Sequence, residues 1–515
     1  MKKKRWAAVS IPCLWGILVL LLTLAERQSL SASIQTVGDA LWYSLVTLTT
    51  VGYGDLFPVT FWGKVIGGIF VLLSVGMVAM ILGFIVVLLT GRAMPKMQLL
   101  LHRAKPWDVF ALPGKDAFVL AASLQNEERL TVCIGTKEQW PQIEGAVFFD
   151  GTVDEIIAYQ NSGCRLFFFG DDEAQNYHMA MQYGKQSHPA YAACSYFADK
   201  LPSYVTLFDK TEACARLYWN HYPLKKSEQT VLLIGCENFG GALLEHGLIS
   251  GVRGPKLPVH WHIFGEHAAW RTAHYQLINN LALAGFDRDG DSLTFHSGEW
   301  NADPKLVLNA DRIILCSDSD DQNARLAKTI RRLYPTRAKL YVRMGDRLAD
   351  ETVFGTPDQL LSEKYVVQNS LYATAMTLHN IYRAGADYPV ETWQELSDFK
   401  QRSNIAAADH IPTKLSLLLD DAHTAVTPDN CCLAYNAFVA CSEEDIACCR
   451  QLEHIRWSRF HLLNNWRYDP VRNDELCCHP MLLPFDKLTL SEQQKDEYAW
   501  KLLEHLAKIS PKEEV

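Results

Sequence analysis

One segment of seven residues, Thr-Thr-Val-Gly-Tyr-Gly-Asp at positions 49–55, constrains the fold of this chain more than any other. It lies between two apolar runs, 6–24 and 61–89, and each run is long enough to cross a bilayer. Gly52 and Gly54 can adopt backbone angles that a residue with a Cβ avoids. This freedom lets successive carbonyl oxygens of an extended segment face one axis. The sequence therefore predicts that several copies of the chain together form a ring of carbonyl oxygens.

Such a ring can replace the hydration shell of a potassium ion, and the segment resembles the pore of the potassium-channel family. The predicted selectivity filter consists of Thr50, Val51, Gly52, Tyr53 and Gly54. Its first four residues would hold K⁺. The residues that match the aromatic cuff and the outer carboxylate of this family are Trp42, Tyr43 and Asp55. The resemblance implies a homotetramer with K⁺ as the permeant ion.

The two apolar runs predict an outer and an inner membrane helix, with a re-entrant pore helix at 38–49 between them. A signal peptide is the rival interpretation of the first run, but no cleavage-site pattern follows it. Basic residues at 2–5 and after the second run predict a multi-pass protein of the cell (inner) membrane with both termini in the cytoplasm. Candidate hinges in the inner helix are Ser74, Gly76 and Gly83. Small residues there would equally serve close helix packing.

Composition limits the partners of the rest of the chain. The 515 residues have a net charge of −9, which argues against nucleic acid as the main partner because its phosphates would be repelled. None of the 14 cysteines forms a Cys-x-x-Cys pair, so we expect reduced cytosolic thiols and no structural zinc. The soluble part also contains no P-loop and no nucleophile–base spacing, which predicts that the chain is not an enzyme.

After a predicted linker at 96–115, short β-rich runs alternate with helical ones, the pattern of α/β units with a parallel sheet. The strand candidates of a first series are 118–120, 132–134, 146–149 and 166–169, and those of a second are 231–234, 259–264, 313–315 and 339–342. Residues 165–176 align without gaps on 312–323. Alanine, asparagine and tyrosine positions in 213–222 recur in the same order in 373–382, so we interpret the two series as a duplication.

The second copy contains a modified nucleotide-binding loop, Gly-Cys-Glu-Asn-Phe-Gly at 235–240, directly after a predicted strand. Its middle glycine is replaced by an acid, which adds bulk and negative charge where a pyrophosphate would lie. The ligand-binding candidates of this crevice are Gly235, Glu237, Gly240, Glu266, Ser317 and Asp318. A nucleotide-like ligand, a carboxylate-lined cation site and a purely structural role all remain open here.

Both copies resemble the RCK (regulator of potassium conductance) domain, whose Rossmann-like lobes form a ring beneath the pore. The predicted lobes span 116–226 and 227–387, and the first has no glycine-rich loop. A helical connector at 388–445 precedes residues 446–515, which resemble the RyR domain, named for its repeats in ryanodine receptors. The residues that would form an aromatic pocket there are Trp457, Trp466, His479 and Pro480. This cluster is either the core of a small helical domain or a pocket for a nucleotide-like ligand or a partner segment.

The predicted fold is therefore a membrane α-helical pore domain at 1–95, fused to α/β Rossmann-like RCK lobes and a small helical RyR-like domain. The pore domain would contain two transmembrane helices and the re-entrant pore helix. The resemblances imply a ligand-gated, potassium-selective channel whose cytosolic part binds a small-molecule or ion regulator, such as a nucleotide. The alternatives are gating by a divalent cation, a nucleotide-processing enzyme with a secondary pore, and a regulatory subunit that does not conduct.

Overall fold

A computed structural model describes residues 15–29, 31–90, 93–160, 163–195, 201–286, 290–349, 351–386 and 389–508. The chain divides into two compact units, Met1–His102 and Arg103–Val515. The basic residues 2–5, residues 6–14 of the first predicted apolar run, and residues 509–515 of the predicted RyR-like domain lie outside the described residues.

The first unit consists of helices in its described part. They are α1 (15–26), α2 (Val37–Leu48), α3 (Phe61–Thr90) and α4 (Ala93–Leu101). Helix α2 begins with a capping box, in which Thr36 and Asp39 each accept a hydrogen bond from the other's backbone amide. Helix α3 continues through the candidate hinge residues without interruption. Among the residues described here, no helix combines the length and the hydropathy of a segment that crosses a membrane.

The second unit begins with a sheet of six parallel strands in the order β3-β2-β1-β4-β5-β6. The strands are β1 (Trp107–Phe110), β2 (Leu130–Ile134), β3 (Val147–Phe149), β4 (Cys164–Phe168), β5 (Ala190–Ala193) and β6 (Val205–Phe208). The helices of this lobe are α5 (Lys115–Leu124), α6 (Val153–Tyr159), α7 (Glu173–Tyr183) and α8 (Lys210–His221). This strand order is that of the Rossmann fold.

A second six-stranded parallel sheet repeats the same topology, with the order β12-β11-β10-β7-β8-β9. The strands are β7 (Thr230–Ile234), β8 (His260–Phe264), β9 (Ser292–Phe295), β10 (Arg312–Leu315), β11 (Lys339–Arg343) and β12 (Thr352–Phe354). The helices are α9 (Asn238–Ser250), α10 (Ala268–Ala273), α11 (Tyr275–Asn279), α12 (Pro304–Asn309), α13 (Asp320–Leu333), α14 (Pro357–Leu360) and α15 (Ala373–Gly385). Parallel α/β lobes of Rossmann type are therefore present, as predicted.

Two asparagines make the internal repeat visible at atomic detail. Asn176 follows β4, and its side chain bonds the backbone N–H and C=O of Gly170 and the carbonyl of Ala193 on the next strand. Asn323 follows β10 and makes the same three bonds, to both backbone groups of Ser317 and to the carbonyl of Arg343. Both residues lie at the end of the gap-free sequence match, so the aligned segments have the same structural role.

The prediction of a strand at 118–120 is wrong, because these residues lie in α5. The buried positions Ala117, Leu120, Ala121 and Leu124 repeat at helical spacing. The strand that opens the first sheet is β1, which lies inside the segment predicted as a linker. Two prolines, Pro106 and Pro113, flank this strand and favoured a linker, and Asp108 lies within the strand. In the fold this carboxylate is buried and paired with Arg129 (2.8 Å) and Arg165 (2.6 Å).

Helices dominate the remainder of the chain. They are α16 (Asp398–Asp409), α17 (Ile411–Leu418), α18 (Pro428–Val439), α19 (Glu443–Leu463), α20 (Leu490–Gln493) and α21 (Tyr498–Ala507), with the short strands β13 (Arg467–Tyr468) and β14 (Cys478–His479). Arg459 of α19 is buried, and its guanidinium bonds Asp291 (2.9 Å) and the carbonyls of Leu248 and Ala284 in the second lobe. The longest helix of this part is thus anchored in the second lobe.

Candidate functional sites

The backbone of the predicted filter alternates between two kinds of conformation. Thr50, Gly52 and Gly54 have φ angles of 60°, 58° and 74°, whereas the residues between them have negative φ. This alternation turns successive carbonyl groups to the same side of a segment. A positive φ is strained for the threonine, which has a branched side chain, and is readily adopted by the glycines. The start of the segment is held by Val46, whose carbonyl accepts hydrogen bonds from the amides of residues 51 and 52.

Two of the predicted supporting residues contact each other beside this segment. The Trp42 indole N–H donates to the Asp55 carboxylate at 2.9 Å, and the Tyr53 ring stacks on Trp42 with centroids 6.1 Å apart. Tyr43 lies elsewhere, against α3. Its hydroxyl oxygen would be 2.8 Å from a Cβ placed on Gly67, so a glycine is required there unless the ring moves. The structure therefore joins Trp42 and Asp55 beside the predicted filter and places Tyr43 against α3.

Glu26, at the end of α1, is a buried carboxylate that the sequence analysis missed. It accepts hydrogen bonds from the amides of Val59 (3.0 Å) and Thr60 (2.9 Å) and from the Thr60 hydroxyl (2.6 Å). A Cβ on Gly63 would lie 1.9 Å from its Oε1, so this glycine makes room for the carboxylate. Glu26 thus ties α1 to the segment directly before α3, which follows the predicted filter. The available signal in the sequence for this buried carboxylate was a single acidic residue just after an apolar run.

In the second lobe, the ends of β7, β8 and β10 converge on the glycine-rich loop. A Cβ on Gly235, where φ is 101°, would lie 2.4 Å from the Ser317 amide nitrogen. A Cβ on Gly240 would lie 2.0 Å from the Gly235 carbonyl oxygen, and one on Gly265 3.2 Å from the Gly235 Cα. Gly235, Gly240 and Ser317 therefore lie close together. Packing within the protein already explains the first and last glycines of the loop.

The Asp318 carboxylate lies at the N-terminus of α9. In a Rossmann lobe this helix N-terminus binds a pyrophosphate. The Asp318 carboxylate accepts hydrogen bonds from the Asn238 side chain (2.8 Å) and the Phe239 amide (3.2 Å). Arg343 of β11 holds this arrangement from the other side, because its guanidinium donates to the Asp318 carbonyl (3.0 Å) and lies 4.4 Å from the centre of the Phe239 ring. The chain thus supplies its own anion to the helix N-terminus.

The other two acids of the crevice have no partner among the described residues. The Oε2 atom of Glu237 is buried without a hydrogen bond, and so is the indole N–H of Trp270. Trp270 packs against the first turn of α9, with Cδ1 3.2 Å from the point where a Cβ on Gly241 would lie. Glu266 is exposed at the end of β8. At the crevice, Asp318 already accepts a hydrogen bond from the N-terminal turn of α9. Glu237 and Glu266 are acids without a partner among the described residues.

Two of the aromatic residues predicted near the C-terminus, Trp457 and His479, line a cavity of about 600 Å³. His461 lies at the centre of the cluster, with its ring centroid 3.8 Å from that of Trp457 and 5.7 Å from that of His479. Trp466 is buried behind the cavity wall and stacks on Phe399 at 4.6 Å. The residues lining the cavity are His379, Tyr382, Pro389, Val390, Glu391, Leu396, Phe399, Lys400, Ser403, Asn404, Trp457, His461, Arg472 and His479. Pro480 is not one of them.

Two basic residues, one acid and three histidines line this cavity. Lys400 pairs with Glu391 at 2.5 Å, and Arg472 pairs with Asp474 at 2.8 Å. Burial lowers the pKa of His461 to about 3, and burial with the nearby Arg472 charge lowers the pKa of His479 to about 4. Both rings are therefore uncharged at neutral pH and act as aromatic surfaces. The cavity can accept a planar group beside Trp457 and an anionic group beside the basic residues.

Sequence reasoning missed His461 and Phe399 as parts of this cavity. His461 lies four residues after Trp457 on α19, so helical spacing places the two side chains on one face. Phe399 belongs to α16 and approaches only through tertiary packing. No group of three or more His, Cys, Asp or Glu side chains in the described ranges is arranged to hold a metal ion.

Comparison with known proteins gives matches for the first unit. Residues 13–91 match a family described as ion channel. A voltage-gated potassium channel of Aeropyrum pernix is 38% identical over 78 residues, which cover 15% of this chain and 26% of that protein. The match thus spans about a quarter of the relative's length. It confirms the predicted resemblance of this segment to potassium-channel pores, and such a family implies a membrane location for the segment.

Solved structures resemble the chain over a longer stretch but less closely. The structure titled GsuK Channel is 14% identical and covers 79% of this chain and 96% of that chain, with a TM-score of 0.40. The GsuK structure bound to ADP is 14% identical to this chain, and the match covers 80% of this chain and 98% of that chain, with a TM-score of 0.38. Similarity at this level is too low to support a conclusion about this chain.

Proposed function

Since residues 13–91 contain the pore sequence of the ion channel family, we propose that this chain is the subunit of a homotetrameric, potassium-selective channel of the cell membrane. The supporting observation is the alternating backbone of residues 50–54 within the Thr-Val-Gly-Tyr-Gly sequence. Four such segments around one axis would replace the water shell of K⁺ with carbonyl oxygens. The end of α2 lies directly before the segment, and the partial negative charge of a helix C-terminus favours a cation.

In this proposal the runs 6–24 and 61–89 cross the membrane, and both termini are cytoplasmic. Large apolar side chains cover much of the described surface of α3, and Phe61, Leu72 and Val75 are among the most exposed. In a tetramer these side chains would contact lipid or neighbouring subunits. The family match also favours a pore over an enzyme, in agreement with the sequence prediction.

The two Rossmann-like lobes and the helices after them would regulate the pore as an RCK-type assembly joined to an RyR-like domain. For a nucleotide-like ligand we favour the aromatic cavity over the crevice. The cavity offers Trp457 for a base, and phosphates would replace the exposed partners of Lys400 and Arg472, which are Glu391 and Asp474. In the crevice, Asp318 occupies the anion position through bonds to the first turn of α9. A cation near Glu237 and Glu266 remains the alternative regulator of the crevice. In either case the ligand must bind open and closed states with different affinity.

Flux through the full-length protein in liposomes tests the channel proposal. We expect K⁺ flux well above Na⁺ flux and a particle of four chains. Gly52→Ala should abolish the selectivity, because its φ of 58° disfavours a side chain. Gly298→Ala is the matched control, since a Cβ there meets no atom within 4 Å. Equal passage of Na⁺ and K⁺, or an assembly without four copies, contradicts the proposal.

The ligand site is tested separately with adenine nucleotides on the same preparation. Trp457→Leu should remove a nucleotide-dependent change in flux but leave ion selectivity intact. Tyr468→Leu is a suitable control for loss of an aromatic side chain, because Tyr468 is exposed in the second unit and does not line the cavity. If nucleotides change the flux equally in both variants, the aromatic cavity is not the regulatory site, although the channel proposal would stand.

A further inference from the structure

A second cavity, of about 300 Å³, lies in the second unit between the first Rossmann-like lobe and the helices near the C-terminus. The edge strand β6 of the first sheet forms one wall, and helix α16 forms another. The positions of α16 that line it have the spacing of one helical face and are Asp398, Gln401, Arg402 and Ile405. The opposite face of α16, which includes Lys400, lines the aromatic cavity. The helix therefore separates the two cavities.

An acid and a base line this second cavity without pairing with each other. The Glu212 carboxylate, in the first turn of α8, has no hydrogen-bond or ion-pair partner among the described residues. Arg216, one turn further along α8, is already paired with Asp409 at 2.8 Å. Arg402 has one long ion pair, of 3.7 Å to Glu245, which leaves most of its N–H donors available. A ligand with one positive and one negative group can therefore pair with both Glu212 and Arg402.

The rest of the lining combines neutral polar groups with apolar surface. The Tyr372 hydroxyl and the Asn369 side-chain amide have no hydrogen-bond partner within the described ranges. The Tyr372 ring is held by the Arg216 guanidinium, which lies 4.9 Å from its centre. Gln401 donates to the Trp393 carbonyl at 2.8 Å and so fixes the tryptophan against α16. The aliphatic part of the lining includes Met376, Leu396 and Ile405.

We propose that this cavity binds a free α-amino acid with an apolar side chain. The ammonium group of the ligand would pair with Glu212, and its carboxylate would accept paired hydrogen bonds from Arg402. Met376 and Trp393 would contact its side chain. Small-molecule pockets span about 300–1,000 Å³, so this cavity suits a ligand smaller than a nucleotide. The site is independent of the proposed function, because it involves neither the pore nor a nucleotide.

Calorimetric titration of the full-length protein with leucine tests this site. We expect one leucine per chain, with binding at least about tenfold weaker in Glu212→Gln and in Arg402→Gln. Both substitutions keep much of the side chain and remove its charge. Glu128→Gln and Arg332→Gln are the matched controls, because both residues are exposed and neither lines the cavity.

Two analogues of leucine assign each charged group of the ligand to its partner. Isoamylamine keeps the side chain and the amine but lacks the carboxylate, so its binding should weaken in Glu212→Gln and not in Arg402→Gln. Isocaproate keeps the carboxylate but lacks the amine, so it should show the opposite pattern. A change in the protein and a change in the ligand that affect the same contact are not additive, which makes the pattern specific.

Two results would overturn the site. One is the absence of leucine binding to the unaltered chain. The other is equal affinity for leucine in the unaltered chain and in the two cavity variants, which would place the bound leucine elsewhere. Thermal unfolding of each variant without ligand checks folding, and a defect in one cavity variant would leave the other to decide.

Discussion

Asp318 accepts a hydrogen bond of 3.2 Å from the backbone amide of Phe239, in the first turn of α9. In a Rossmann lobe this turn binds the ligand's phosphates, and here a carboxylate from the end of the fourth strand of the lobe takes that place. The same carboxylate also binds the Asn238 side chain at 2.8 Å. A nucleotide that enters the crevice with its phosphates at this helix must therefore displace Asp318.

Asp318→Asn should strengthen the binding of ADP at the crevice. The amide keeps the size of the side chain and can still accept the Phe239 hydrogen bond, but it removes the negative charge that repels phosphate. We expect an increase in affinity of about tenfold, which is about 1.4 kcal/mol. Calorimetry on the full-length protein measures it.

Asp321→Asn is the matched control for this experiment, because it removes the same charge from α13 at an exposed position away from α9. An equal gain in both variants would mean that only the net charge of the lobe matters. No gain in either would mean that the crevice does not bind phosphate even when Asp318 is neutral.

The crevice also shows which features of a site can be derived from sequence. The loop at 235–240 was recognisable because a tight turn between a strand and a helix needs Gly235 with positive φ. The contact of Asp318 with Phe239 was not, since 79 residues separate them and only the packing of β10 beside β7 brings them together. Arg343 was missed for the same reason.

The strands show a similar limit. Continuous apolar runs such as Val231–Ile234 were recognised because both faces of a central parallel strand are buried. Strand β1 was missed because Pro106 and Pro113 indicated a linker, and because the pairing of Asp108 with Arg165, which allows a charged residue in a buried strand, is visible only in the fold. Strand β9 was missed because an edge strand can contain partly exposed polar residues such as Ser292 and Thr294. In each case the compensating partner lies elsewhere in the chain.

Trp42→Phe should weaken the support of the predicted filter. The substitution keeps an aromatic ring for Tyr53 but removes the N–H that bonds Asp55 at 2.9 Å. A hydrogen bond to a charged group contributes about 1.5–3 kcal/mol, so we expect a marked fall in K⁺ flux in liposomes. Tyr468→Phe, at an exposed position of the second unit, should leave flux unchanged. Unaltered flux in Trp42→Phe would show that the filter does not depend on this bond.

Arg459→Met should strongly destabilise the second unit. It would leave the buried Asp291 carboxylate without its partner at 2.9 Å, and loss of one member of a buried pair costs about 3–5 kcal/mol. The double variant with Asp291→Asn should lose less than the sum of the two single changes. Arg325→Met, which breaks an exposed pair with Asp321, should have an effect below about 1 kcal/mol. Thermal unfolding of the full-length protein compares all four variants, and additive effects of the two buried changes would contradict the pairing.

His274 should make stability fall as pH rises. Burial opposes its protonation, but the hydrogen bond of 3.0 Å to Glu245 and the charge of that residue outweigh burial, so the pKa of His274 is raised above 6.5. A raised pKa in the folded state means that protonation stabilises the fold. This contribution is complete below pH 6.5 and is lost as pH rises through the folded pKa.

His274→Gln should remove this part of the pH dependence. The unfolding temperature of the unaltered chain should decline as pH increases above 6.5, and that of His274→Gln should decline less. His423→Gln controls for loss of a histidine, because His423 is exposed. The comparison also probes the link between the second lobe and α19, since the Nδ1 atom of His274 donates to the Leu463 carbonyl at 2.7 Å when the ring is protonated. Parallel pH profiles of the unaltered chain and His274→Gln would show that the Glu245 pair does not stabilise the protonated ring.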